Sequence, residues 1–155
     1  MARALAAQGN TTKADAAIAA ALRAKPDFAP ALWWEARVHE GKGDFDTATK
    51  IVDEVLAKAP DDPDALVVKG DLLRFGSNDA ADAIALYRRA LAAKPSHLLA
   101  FTAMLEQFFS QNDLEAARTA LEAMKKARPG HPQTVYFQTR LAAQKGELQS
   151  AEELV

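Results

Sequence analysis

The sequence predicts an all-α protein in which antiparallel helix pairs stack into one continuous domain, and three observations carry that prediction. The first is a period. Pro26, Pro60, Pro95 and Pro129 stand 34, 35 and 34 residues apart, and self-similarity at such an interval marks a repeat architecture. The second is an alanine twelve residues ahead of each proline, at Ala14, Ala48, Ala83 and Ala117, with Ala151 keeping the interval. The third is a large apolar residue four positions after each alanine, at Ile18, Val52, Tyr87, Leu121 and Val155. About one helical turn separates the members of each pair, so each pair marks one helix face. A small side chain at this recurring point lets two helices approach closely, where a larger one would overpack by about 1–3 kcal/mol.

The elements follow in order, in units of approximately 1–28, 29–62, 63–97, 98–131 and 132–155, about four and a half repeats over residues 1–155. In the first unit Gly9-Asn10 separates two helices, the second carrying Ala14 and Ile18. In the next, a helix around Leu32 stops at Gly43-Asp44 and the chain returns through Ala48 and Val52. Asp62-Pro63 opens the third, with Leu66, Val67 and Leu73 at helical spacing; Asn78-Asp79 divides it from the helix of Ala83 and Tyr87. The fourth holds Phe101, Met104 and Phe108, then Asn112-Asp113, then Leu114, Ala117, Leu121 and Met124. His131-Pro132 opens the fifth, and Gly146-Glu147 divides it. Gly or Asn suits a left-handed helix end, and the Asn or Asp that follows can cap the next helix. A proline just inside a helix start costs no hydrogen bond. The extra residue between Pro60 and Pro95 belongs in Arg74–Asn78, because turns accept insertions cheaply.

Composition narrows the class of function. Lys and Arg total 19 and Asp and Glu 21, a net charge of −2, which leaves no basic footprint for nucleic acid or anionic membranes. With 49% hydrophobic and 26% charged residues the chain is globular. The absence of cysteine excludes a disulfide framework, a thiolate metal site and a Cys nucleophile. No apolar run is long enough to span a bilayer. The histidines are His39, His97 and His131; none has metal-ligand spacing, and His97 and His131 fall at equivalent helix starts. Gly41-Lys42-Gly43-Asp44 lacks the spacing of a phosphate loop, and Asp61-Asp62 and Glu152-Glu153 suit caps or solvated faces. We therefore expect no catalytic residue, metal site or cofactor.

The period, with its Ala-x3-large-apolar pair followed by Pro, resembles the tetratricopeptide repeat (TPR) family. Where that family often has Trp-x2-Leu-Gly-x2-Tyr, this chain has Leu32-x2-Glu35-Ala36-x2-His39 and Leu66-x2-Lys69-Gly70-x2-Leu73. Phe101-x2-Met104-Leu105-x2-Phe108 and Val135-x2-Gln138-Thr139-x2-Ala142 follow. The resemblance implies a right-handed superhelical α-solenoid. Gly70 keeps the family glycine, whereas Leu105 and Thr139 are larger and leave the local helix spacing open. By the family's frame Met1 lies inside a first helix and Val155 inside a second, so a fragment of a longer array is expected. Asp27-Phe28-Ala29-Pro30-Ala31-Leu32, Lys69-Gly70-Asp71-Leu72-Leu73 and Asn112-Asp113-Leu114-Glu115-Ala116-Ala117 also resemble the repeat lipoproteins of bacterial exosortase/PEP-CTERM systems. That likeness implies a periplasmic or envelope-anchored location; without it the expectation is cytoplasmic.

In the TPR family a concave groove is lined by first-helix residues at fixed offsets. The resemblance puts Trp33 and Arg37 there, then Val67, Asp71 and Arg74, then Thr102, Glu106 and Phe109, then Tyr136 and Arg140. Trp33, Phe109 and Tyr136 are candidate anchors; Arg37, Asp71, Glu106 and Arg140 would orient a ligand. Leu32, Leu66, Phe101 and Val135, on the opposite side, are core candidates, and Trp34 and Phe137 would face a neighbouring unit. Some family members clamp the carboxylate of a peptide C-terminus, but Asp71 and Glu106 would repel one. The expected function is a non-catalytic scaffold that holds a peptide or protein segment. The alternative is a structural spacer, or a homo-oligomer formed through the solenoid ends.

Overall fold

The structure is a computed structural model that describes residues 11–144 and Gly146. Eight α-helices run through the described residues: α1 (Thr11–Ala24), α2 (Ala29–Lys42), α3 (Phe45–Lys58), α4 (Pro63–Leu72), α5 (Ala80–Ala93), α6 (Leu98–Ser110), α7 (Leu114–Ala127) and α8 (Pro132–Gln144). The pairs α2/α3, α4/α5 and α6/α7 are complete, and α1 and α8 belong to the flanking units. Each helix packs on the next, and the first helices α2, α4 and α6 also pack on one another in sequence. The second helices α3, α5 and α7 make no comparable contact. A stack that closes along one edge and opens along the other curves, with the first helices inside, as the α-solenoid expected from the sequence does.

The helix ends sit where their chemistry puts them. Gly43, Asn78, Asn112 and Gly146 all adopt positive φ, from 55° to 81°. Asp44, Asp79 and Asp113 then accept from the backbone N–H three residues on, at 3.2, 3.1 and 3.0 Å. Asp62 does the same ahead of Pro63 at 2.9 Å. His97 caps α6 by accepting from the Ala100 N–H through Nδ1 at 3.2 Å, which leaves Nε2 to donate to Asp64 at 3.0 Å. His131 accepts from the Gln133 N–H in a similar manner. Gly9, Asn10, Ala14, Glu147, Ala151 and Val155 lie outside the residues whose side chains are described.

The inserted residue is absorbed at the end of α4, where Leu73–Ser77 forms one π turn. Elsewhere the residue after the left-handed cap bonds back five positions, as Asp44 N–H does to the His39 carbonyl and Asp113 N–H to that of Phe108. Asp79 N–H instead reaches the Leu73 carbonyl, six positions back, at 3.0 Å. The helix widens locally, and the following unit keeps its frame.

The core confirms the packing idea. Ala48, Ala83 and Ala117 have no exposed surface, and Val52, Tyr87 and Leu121 are buried beside them. One apolar cluster joins α2, α3 and α4 through Ala36, Val52, Val68 and Leu72. A larger one runs from Leu66 and Tyr87 through Phe101, Leu105, Leu121 and Phe137. Gly70 explains the bulkiest of the second-helix residues. A Cβ added there would lie 2.5 Å from Tyr87 Cε1, so the glycine vacates the space that the phenol ring occupies.

Candidate peptide-binding groove

First-helix residues at equivalent repeat positions form rows along the inner face. One row is Trp33, Val67, Thr102 and Tyr136; the next, one turn on, is Arg37, Asp71, Glu106 and Arg140. The four charged residues of that second row do not point outward as independent groups. Arg37 Nη2 donates to Asp71 Oδ2 at 3.0 Å, across a sequence separation of 34. Arg140 Nη1 donates to Glu106 Oε2 at 2.7 Å, also across 34. The periodicity that stacks the helices therefore sets opposite charges opposite each other in two of the three steps along the row.

The two pairs sit in different surroundings. Asp71 is buried and takes a second bond from inside the protein: the Tyr87 hydroxyl donates to its Oδ1 at 2.7 Å. Burial, and then the charge of Asp71, pushes the Tyr87 hydroxyl far above the ordinary phenol range, so it stays a donor. Arg37, Asp71 and Tyr87 thus tie α2, α4 and α5 at one point. The Glu106–Arg140 pair is about one-third exposed on each side. Its arginine also lies over the Phe109 ring, 4.4 Å from the centroid, a favourable placement of a cation on a π face. Phe109 in turn stacks on Phe137 at 5.9 Å with the planes 7° apart, and Phe137 meets the edge of Tyr136 at 5.0 Å. Partial burial disfavours the charged form of Arg140, but Glu106 more than offsets this and raises its pKa overall.

The groove residues expected from the sequence divide by accessibility. Val67 has no exposed surface and Phe109 only 4%, so neither can anchor a ligand; both belong to the core. Asp71, at 7%, is withheld by its two internal partners. Trp33 is half-buried against the α2–α4 cluster and lies 5.0 Å from Trp34, ring centre to ring centre. Tyr136 is 51% exposed. Thr102, Glu106, Arg37 and Arg140 are partly exposed. Arg74 reaches across to the next first helix and donates to the Ala103 carbonyl at 3.3 Å, with its guanidinium over Phe75. Phe137 is fully buried as expected, but Trp34 remains 46% exposed, because its ring tilts against Trp33 rather than sinking between helices. The repeat spacing marks Tyr87 as a large core residue of a second helix, but not the reach of its hydroxyl from α5 to Asp71 on α4. The pairing of the one tyrosine at that position with the glycine at Gly70 was the available signal.

Two copies of a tetratricopeptide repeat family model match residues 1–63 and 35–97, and a second such model matches 74–141. The chain belongs to the tetratricopeptide repeat family. TPR architecture is shared with TTC0263, a thermophilic TPR protein of Thermus thermophilus, at a TM-score of 0.74 and 17% identity over 93% of this chain and 80% of that one. MamA matches at 0.68 and 19% identity, over 94% of this chain and 87% of that one. The first TPR of Spaghetti (RPAP3), solved bound to the HSP90 peptide SRMEEVD, matches at 0.58 and 18%, over 81% and 93%. No curated protein matches the chain by sequence. The TPR repeat assigns the chain to a class of protein-interaction modules. No match supports the exosortase lipoprotein likeness. Among the described residues there is no cluster of metal-ligating side chains, and no helix is long and apolar enough to cross a membrane.

Proposed function

We propose that the TPR chain is a non-catalytic scaffold whose concave face holds an extended or helical segment of another protein. Tyr136 and Trp33 supply apolar contact at the two ends of the row, with Thr102 between them. Arg37, Glu106 and Arg140 offer polar edges already held by internal partners. A group held in place before binding loses little side-chain freedom on contact, which favours affinity. Arg74, fixed to the Ala103 carbonyl, stands beside the row as a further cation.

The observation that carries this reading is that Trp33, Thr102 and Tyr136, at one equivalent position of three first helices, all keep side-chain surface in solvent. The relative bound to SRMEEVD supports peptide binding as a mode of use of this fold. Arg37 and Arg140 are each already paired with an acid of the same row, Asp71 and Glu106, which leaves no cation of that row free to clamp a carboxylate terminus and argues for a different ligand here. The test is affinity capture of the partner with wild-type, Trp33→Ala and Tyr136→Ala baits of matched helicity. Loss of the same partner from both variants is expected; undiminished capture by both would defeat the assignment.

A further inference from the structure

The second helices stand apart, and each of the first helices α2, α4 and α6 carries a triplet of residues at equivalent positions. The triplets are Leu32, Glu35 and His39, then Leu66, Lys69 and Leu73, then Phe101, Met104 and Phe108, the last at the bottom of a cleft between α5 and α7. The last triplet alone is wholly apolar. In the middle triplet, Lys69 Nζ donates to both carboxylate oxygens of Asp53 on α3, at 2.8 and 3.0 Å. The two charges neutralise each other there. At the position equivalent to Asp53, α5 carries Arg88; at the position equivalent to Lys69, α6 carries Met104. The change leaves a cleft of about 770 Å³ whose lining includes Arg88 on one wall and Lys126 on the other, with no acidic side chain. Both cations are exposed, and among the described residues neither forms an ion pair.

We propose that this cleft seats an amphipathic α-helix of a partner protein, apolar on the inserted face and acidic at one end. Three features fix that occupant. The α7 wall is built from Ala116, Ala120 and Ala123, side chains small enough for an incoming helix to approach to about 8–10 Å between axes. The cleft closes on Phe101, Met104 and Phe108, core residues that keep only 3–5% of their surface at its bottom. Leu or Phe anchors recurring at helical spacing would meet two ring edges and a thioether there, while Leu91, Ala116 and Ala123 line the open walls. The unpaired charge is of one sign, so a complementary partner brings carboxylates. Arg88 and Lys126 lie in the second halves of their helices, so the acidic end of the ligand points toward Pro95 and the α5–α6 turn. This site is separate from the concave face: α6 gives Thr102 and Glu106 to one and Phe101, Met104 and Phe108 to the other.

The test is fluorescence anisotropy with two designed helical peptides of five turns, identical in their Leu and Phe anchors. One carries Glu at its end and along its flanks, the other Lys at the same places. The Glu peptide should bind at least about tenfold more tightly at low ionic strength, and added salt should narrow the gap. The double variant Arg88→Glu/Lys126→Glu, altered only at exposed positions, should reverse the preference. Ala123→Arg, which fills the wall, should abolish binding of the Glu peptide, whereas Trp33→Ala should leave it unchanged; circular dichroism checks that each variant keeps its helicity. Equal affinity for the two peptides, binding of neither, or loss on Trp33→Ala would overturn the proposal. Binding of dodecanoate in place of the Glu peptide would overturn it in favour of an anionic lipid.

Discussion

The inner face builds the same contact twice, Arg37 to Asp71 and Arg140 to Glu106, at matching positions and with the same separation of 34 residues. What differs is the surroundings. Asp71 is buried and shared with the Tyr87 hydroxyl, whereas Glu106 and Arg140 keep about one-third of their side-chain surface in solvent. Water screens the second pair and would solvate either member left alone. It can do neither for Asp71. The pairing pattern, which both share, sets register between repeats, while burial decides how much stability depends on the pair.

That contrast can be broken by substitution. Asp71→Ala should have the largest effect, about 3 kcal/mol lost in chemical denaturation, because it strands a half-buried guanidinium and a buried hydroxyl together. Gly70→Ala should follow: the added Cβ forces Tyr87 to move, an overpacking cost of about 1–3 kcal/mol, and the gain in helix propensity offsets only part of it. Tyr87→Phe, which keeps the ring and removes the donor, should cost about 1 kcal/mol at neutral pH. It should also change the alkaline response. The hydroxyl titrates higher in the folded protein than its ordinary value of 10.0, so its contribution is complete below that ordinary value and declines as pH rises beyond it. The wild-type melting temperature should therefore fall more steeply above about pH 10 than that of Tyr87→Phe. Glu106→Ala should be smallest, below about 1 kcal/mol and smaller still in high salt. A cost for Glu106→Ala equal to that of Asp71→Ala would dissolve the distinction between the two pairs.

The fold was legible because repeat spacing and cap chemistry are local and redundant. The prolines, the alanines and the Gly/Asn–Asp breaks each report the same frame, so no single substitution hides it. The rows of the inner face were legible for the same reason, as positions. Accessibility within a row was not. Val67 and Tyr136 share a row, yet one has no exposed surface and the other 51%; the difference lies in what the neighbouring helices cover, which offsets along one helix do not encode. Pairing was likewise hidden. Arg37, Asp71, Glu106 and Arg140 look like four groups offered to a ligand until the stack brings Arg37 to 3.0 Å from Asp71 and Arg140 to 2.7 Å from Glu106. The insertion falls within Arg74–Asn78 as turn chemistry implies, but its form, a π turn rather than a longer loop, depends on which carbonyl the Asp79 amide reaches.

The order of signs along the inner row also limits how such an array can be re-edited. Excising residues 63–97 would bring Arg37 against Glu106, and excising 98–131 would bring Asp71 against Arg140; each junction still matches cation with anion. A tandem copy of 63–97 would instead confront one Asp71 with another in a place that water scarcely reaches. Shortening this superhelix is thus electrostatically permitted, while lengthening it by duplicating that segment is not.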